Sequence, residues 1–340
     1  MSTLTVRGRG RAVHVPRRTL AVSAALVTAA LGLAALGLCY GASWVGPADV
    51  AAALTGSGDA VVVVRDWRLP RVLAALVFGA ALGVSGAIFQ NLTRNPMGSP
   101  DVIGLDAGAY TGALIALTVL SGTPVQLAAT SVLCGLLAAA AVYLLSSGGG
   151  GPSGMRLIVI GIAVNAMANA LNAWIVLRAE LEVAIAADGW SAGSLNGVGW
   201  TDLTVPLVVI AVLLAAMAAL AHAMHQAALG DAVAAATGVG LGRLRLRMVL
   251  VGVGLTATVT AVAGPIVFIA LAAPQIGRRL ARAPGVPLLP AALTGMVLLL
   301  GADLVAQMLL APESLPVGVV TTAIGGCYLL WLLGQEVRRR

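Results

Sequence analysis

The sequence predicts an all-α integral membrane protein of about ten transmembrane helices, and three observations lead there. Of its 340 residues, 59% are hydrophobic and only 10% are charged, whereas soluble domains carry about 25% charged residues. The mean hydropathy is +0.99. Apolar stretches of roughly 20 residues, the length that crosses a hydrocarbon core about 30 Å thick, recur from Leu20 to the C-terminus. The 42 glycines, set among abundant alanine, fit helices packed closely through small side chains.

Taken in order, the apolar runs place spans at 19–39, 72–92, 104–121, 125–146, 157–178, 203–225, 247–264, 266–282, 287–310 and 316–335. Residues 1–18 form a basic tail, and 19–340 read as a single transmembrane domain with no soluble module. The Arg17-Arg18 pair ahead of an apolar run also fits an export signal, but that run lacks a small-residue cleavage site and has the length of a first span. Three loops stand out: 44–71, 180–201 with Trp190 and Trp200, and 226–246. A Gly-x-Ile-x7-Pro spacing occurs twice, from Gly86 to Pro96 and from Gly264 to Pro274, in segments of opposite predicted direction, as inverted repeats of transporters do.

Charge orients the spans. All 20 basic residues are Arg. With a cytoplasmic N-terminus and ten spans, Arg65, Arg68, Arg71 and Arg178 face outward and the other 16 face the cytoplasm. Under the positive-inside rule this predicts a multi-pass protein of the cytoplasmic membrane with both termini cytoplasmic. The net charge of +7 then reports topology and contact with lipid headgroups, with no nucleic-acid partner.

Several chemistries find no residues to carry them. A nucleotide-binding P-loop needs a Lys on the phosphates, and the chain has none, so any ATPase must be another subunit. His222 and His225 sit one turn apart at a predicted helix end without Cys or carboxylate neighbours, which suits a solvated helix end better than a metal site. Cys39, Cys134 and Cys327 lie in apolar spans as packing residues. No catalytic set, metal site or cofactor is expected. A proton- or sodium-driven transporter would place ionisable relays within the membrane, and Asp303 is the one carboxylate the span boundaries place deep inside.

Other residues combine into candidate sites. Arg68 and Arg71 are three apart and share a helical face just outside the membrane, where they either snorkel to headgroups or meet a partner. Pro96 biases Asn95 away from helical geometry, so Asn95-Pro96-Met97 is either a plain turn or a gate. Gly104, Gly108 and Gly112 lie four apart, the spacing of a close helix contact. Asn165, Asn169 and Asn172 form one polar stripe on the fifth span, either a hydrogen-bonded seam or the lining of a passage. In the 229–240 loop, Asp231 is placed to cap a short helix and Gly238 to end it.

The segment RLPRVLAALVFGAALGVSGAIFQNLTRNPMGSPDVIGLDAGAYTG (68–112) resembles the iron-siderophore and vitamin B12 permease family of ABC importers. The likeness resumes at WSAGSLNGVGW (190–200), at 230–238, at GPIVFIALAAPQIGR (264–278) and at 302–326. It implies a permease of that fold, itself no enzyme, translocating a ferric siderophore. The wording of SGAIFQNL, RNPMGSPDV, AGSLNG and LPVGVVT favours an enterobactin-like cargo; haem and cobalamin importers share the fold. The resemblance also implies a cytoplasmic ABC ATPase coupled through Gly230, Asp231 and Gly238, and an extracytoplasmic siderophore-binding protein docked at Arg68 and Arg71. It places a cytoplasmic gate at Asn95, Pro96 and Met97. Two departures matter: Gln275 stands where the family often has His, and Gln307 replaces an Arg that would serve docking. That second loss favours pairing with a related, non-identical permease over a homodimer.

Overall fold

The protein is seen as a computed structural model that describes residues 3–8, 11–41, 43–120, 122–148, 151–152, 154–283, 285–311 and 313–337. Arg9 and Arg338 to Arg340, which the charge argument used, lie outside the described residues. The helices are α1 (Arg17–Cys39), α2 (Pro47–Thr55), α3 (Leu69–Thr93), α4 (Leu105–Val119), α5 (Pro124–Ser146), α6 (Gly154–Arg178) and α7 (Leu181–Ser191). They continue as α8 (Trp200–Ala228), α9 (Asp231–Ala236), α10 (Leu241–Ala263), α11 (Ile269–Ala281), α12 (Leu288–Leu309) and α13 (Val317–Val337). A π-helical segment, Val62–Arg68, leads into α3, and two short antiparallel ribbons pair Thr3–Gly8 with Arg11–Pro16 and Ser147–Gly148 with Gly151–Pro152.

Each of the ten expected spans coincides with one helix: α1, α3, α4, α5, α6, α8, α10, α11, α12 and α13. Seven stretches among the described residues are long and apolar enough to cross a membrane. Because these elements alternate in direction, the bundle has two ends. The start of α1 meets the end of α11 where Arg18 Nε donates to the Leu280 carbonyl at 2.9 Å; this is called the Arg17 end. The opposite, Arg71 end carries the α2 and π-helical region, and there Trp200 Nε1 donates to the Arg65 carbonyl at 2.8 Å.

α3 is the central element, apolar on every side and buried through Phe78, Leu82, Ile88 and Phe89. An all-round apolar helix belongs at the middle of a bundle. Glycine makes the packing possible: Gly79 and Gly295 press backbone to backbone, so a Cβ on either would collide with the other's carbonyl oxygen. Gly108 and Gly112 likewise lie against the α5 backbone at Cys134 and Thr130. Gly104 differs from these two, since its φ of 72° makes it the left-handed turn before α4. The outer helices keep broad apolar faces, with Val205, Leu177 and Leu144 exposed, as lipid contact demands.

Two elements depart from expectation for the same reason. The 180–201 stretch is no simple loop, because it contains the 11-residue helix α7, roughly 16 Å long. The 13 residues of α11 extend about 20 Å, short of a 30 Å core. Trp190 at the end of α7 stacks on Tyr110, ring centroids 6.3 Å apart, and Tyr110 lies in the second turn of α4 counted from the Arg17 end. Thus α7 dips back into the bundle and meets the α10–α11 turn, where Ser194 N donates to the Ala263 carbonyl at 2.6 Å. The Gly-x-Ile-x7-Pro repeat does not mark equivalent positions. Gly86 is interior to α3 whereas Gly264, at φ 69°, forms that turn.

Candidate functional site: two charged ends and the polar residues between them

At the Arg71 end, Arg68 is only 8% exposed. Its guanidinium donates to the carbonyls of Leu38 at 2.9 Å, Cys39 at 2.8 Å and Ser43 at 2.6 Å. The last carbonyls of a helix have no intrahelical partner, and Arg68 satisfies those of α1. The sequence expectation placed Arg68 at a docking surface; here its donors point inward to α1 and Ser43. Gly41 keeps the space open, since a Cβ there would lie 2.9 Å from the guanidinium.

Arg71 forks onto Asp303, with Nε to Oδ2 at 2.9 Å and Nη2 to Oδ1 at 2.8 Å. Gln307, one turn along α12, donates to the same carboxylate at 2.8 Å. The Arg71 side chain remains 18% exposed while Asp303 is 1% exposed. Asp303 is thus a brace between α3 and α12, its charge paired with that of Arg71. Beside it opens a cavity of about 370 Å³ lined by Tyr40, Ser43, Asp66, Arg71 and Gln307. Sequence reasoning passed over the exposed Arg65 and Trp67 on this rim; a π-helical turn, which carries no clear sequence signal, is what displays them.

The asparagine stripe divides. Asn172 is buried, donating to the Ala107 carbonyl at 3.0 Å and accepting from Thr111 Oγ1 at 2.7 Å, so it is a seam residue between α6 and α4. Asn169 is exposed and donates to Asn165 Oδ1 at 3.3 Å. Those two amides face away from the seam. Gln275 also finds a place. It donates to Gln90 and accepts from Arg278 Nη2 at 3.1 Å, while Gln90 donates to the Leu271 carbonyl at 3.0 Å. The amide passes a hydrogen-bond chain from α3 to α11, a task a neutral imidazole could share.

At the Arg17 end, α3 stops at Arg94, whose φ of 51° is left-handed. Asn95 follows and accepts from the Met97 amide at 2.9 Å, an Asx turn that leaves Pro96 and Met97 exposed. Close by, α9 begins after Gly230, at φ 128°, and is followed by Gly238, at φ 82°. Gly230 holds the N-cap position and Asp231 is the first residue of the helix. The two Asp231 oxygens accept from Arg94 at 2.6 Å and Arg245 at 2.8 Å. Slight burial pushes the Asp231 carboxyl up, but the hydrogen bond and charge of Arg245, then those of Arg94, outweigh it and hold the group below its ordinary value. Sequence reasoning also passed over Asp101 and Asp106, two carboxyls close together beside the start of α4.

A lipid-facing helical bundle with a half-length helix entering from one end, an asparagine pair outside the helix seam of one span and charge clusters at both ends is the framework of a polytopic membrane transport protein. The chain belongs to the FecCD transport family, whose profile matches residues 24–335. It is 47% identical over 330 residues to the ferric enterobactin transport system permease protein FepG of Escherichia coli, covering 96% of this chain and 100% of that one. It is 33% identical over 302 residues to a siderophore transport permease, YfhA, of Bacillus subtilis, covering 86% and 88%. The vitamin B12 import permease BtuC of Salmonella newport is 33% identical over 305 residues, covering 88% and 91%. A solved ABC transporter of the metal-chelate type, in an inward-facing conformation, superposes with a TM-score of 0.81 at 25% identity, covering 93% of this chain and 99% of that one.

Proposed function

We propose that this chain is the membrane permease of a binding-protein-dependent ABC importer for a ferric catecholate siderophore of the enterobactin kind. The observation that carries the cargo is the 47% identity with the ferric enterobactin permease across that protein's whole length, against 33% for the vitamin B12 permease. The Arg71 end faces outward, and Arg71 with the exposed rim receives a siderophore-binding protein. Complementary charge there speeds and orients the encounter. Arg68 supports this rim from beneath and does not touch the partner.

The Arg17 end faces the cytoplasm with both termini. Gly230, Asp231 and Gly238 shape a short helix that seats on a separate ATPase, which supplies the free energy. Asn165 and Asn169 line the passage, and Asn95, Pro96 and Met97 close its inner mouth. The chain itself makes and breaks no covalent bond; nucleotide closure of the ATPases swings the helices so that one gate opens as the other shuts. A related second permease completes the passage, because Gln307 bonds inward to Asp303 and leaves the docking rim short of one cation that a paralogue restores.

The test is reconstitution of the permease with its ATPase and a candidate second permease in vesicles, scored by ATP-dependent uptake of radio-iron enterobactin from its binding protein. Uptake of labelled cobalamin or haem in place of enterobactin would overturn the cargo. Full transport by a complex holding two copies of this chain would overturn the heterodimer.

A further inference from the structure

Three elements converge on one carboxylate at the Arg17 end. Asp231 is the first residue of α9; Arg94 is the left-handed cap of α3, directly before the Asn95-Pro96 turn; Arg245 is on α10. Arg94 Nη2 reaches both Asp231 Oδ1, at 2.6 Å, and the carbonyl of Ala227 at the end of α8, at 3.3 Å. Four helices are therefore fastened through two guanidiniums and one carboxylate.

The cap position adds a second, independent observation. A residue with a Cβ is unfavourable at positive φ, where Gly or Asn is the usual choice. Arg94 sits there at 51°, a position whose backbone favours a smaller residue. Glycine would suit the turn better, but it would not reach Asp231.

We infer that Arg94 is a transmission residue: through Asp231 it ties the α9 segment to the Asn95-Pro96-Met97 turn, so that displacement of one moves the other. This rests on the importer reading for its consequence, since α9 would be the part an ATPase pushes and the turn the part that gates. The link itself is independent of that reading. The arrangement suits transmission because the pair is charged, short and forked: Asp231 is held from the α3 side by Arg94 and from the α10 side by Arg245, so a tilt of α9 pulls on the cap of α3. Arg245 positions the carboxylate; Arg94 carries the motion to the turn.

Arg94→Asn is the informative variant, because Asn keeps the left-handed backbone while being too short to span to Asp231. The Arg94 and Asp231 side chains are about half exposed, so in the purified chain in nanodiscs hydrogen–deuterium exchange of 231–237 is expected to rise about two- to fivefold in Arg94→Asn, and exchange of 94–98 by a similar factor in Asp231→Asn, the range for loss of an exposed charge pair. Arg94→Lys should restore part of the protection. A rise confined to the mutated segment in both variants would overturn the link. In the reconstituted transporter, Arg94→Asn should hydrolyse ATP while siderophore delivered per ATP falls about tenfold; an unchanged ratio would overturn the transmission role. If the reciprocal exchange effect appears but the wild-type complex imports no siderophore, the link stands and the importer reading fails.

Discussion

Arg71 and Asp303 hold α3 and α12 together through a two-point contact of 2.9 and 2.8 Å, with the carboxylate wholly buried and the guanidinium partly open to solvent. This asymmetry of exposure decides what each partner is worth. Removing Arg71 strands a buried carboxylate, whereas removing Asp303 leaves a cation that can turn outward and hydrate.

Arg71→Met should therefore destabilise the purified chain by about 3 kcal/mol or more, and Asp303→Leu by clearly less. The double variant should recover most of the loss, because a buried pair replaced by apolar side chains is close to neutral. Thermal unfolding in detergent reads all three. Losses that simply add would show that the pair is not a unit. The double variant should still bind its docking protein more weakly, since the exposed edge of the charge is gone.

Arg68 behaves differently. Its three carbonyl partners on and beyond α1 make it a brace, and hydrogen bonds from a charged donor are worth about 1.5–3 kcal/mol each when broken. Arg68→Ala should thus lower the yield of folded protein or its unfolding temperature before it affects docking. A fully folded Arg68→Ala chain with reduced affinity for the binding protein would return Arg68 to the docking surface.

The asparagine stripe makes a prediction position by position. Cysteines at 165 and 169 should react with a water-soluble thiol reagent in the assembled transporter, whereas one at 172 should stay protected, because Asn172 is buried against Ala107 and Thr111. Equal protection at all three positions would make the whole stripe a packing seam.

Acid should loosen the Arg17 end before it unfolds the bundle. Asp231 is held below its ordinary value by Arg245 and Arg94, so the folded state takes up its proton less readily than the unfolded one. A depressed carboxyl contributes stability above the ordinary carboxylate range, near pH 3.9, and loses it as pH falls through the folded value. Protection of 231–237 should therefore be flat from about pH 8 to pH 5 and fall only below about pH 4. In Asp231→Asn that fall should be absent.

The glycine seam carries a stability prediction. Gly295→Val places two methyl groups and a Cβ against the Gly79 carbonyl, where backbone faces backbone. The helices must separate, at a cost above the roughly 1–3 kcal/mol typical of an overpacked core. Loss of folded protein from the membrane is the expected outcome, and normal levels would mean that α3 and α12 can repack.

Span positions were legible because a bilayer imposes a length on every crossing segment and excludes unpaired backbone: each of the ten apolar runs became a helix. The Asn95-Pro96 break was legible because proline restricts the residue before it. Gln275 and Gln307 could be flagged by sequence as departures from a pattern, yet their partners, Gln90 with Arg278 and Asp303, lie across the bundle.

What sequence alone determined was the solvent of this chain, the places of its apolar helices and its kinship, since hydropathy and ordered motifs are local properties read along the chain. Only the tertiary structure decided that α7 turns back into the bundle, that Arg68 braces α1 while Arg71 stays at the rim, that Asn172 parts from Asn165 and Asn169, and that Asp231 clasps Arg94 instead of capping α9. The reason is physical: a side chain's role is set by what lies within hydrogen-bonding reach of it. For Arg71 and Asp303 that reach spans 232 residues of sequence, a separation along which no spacing rule operates.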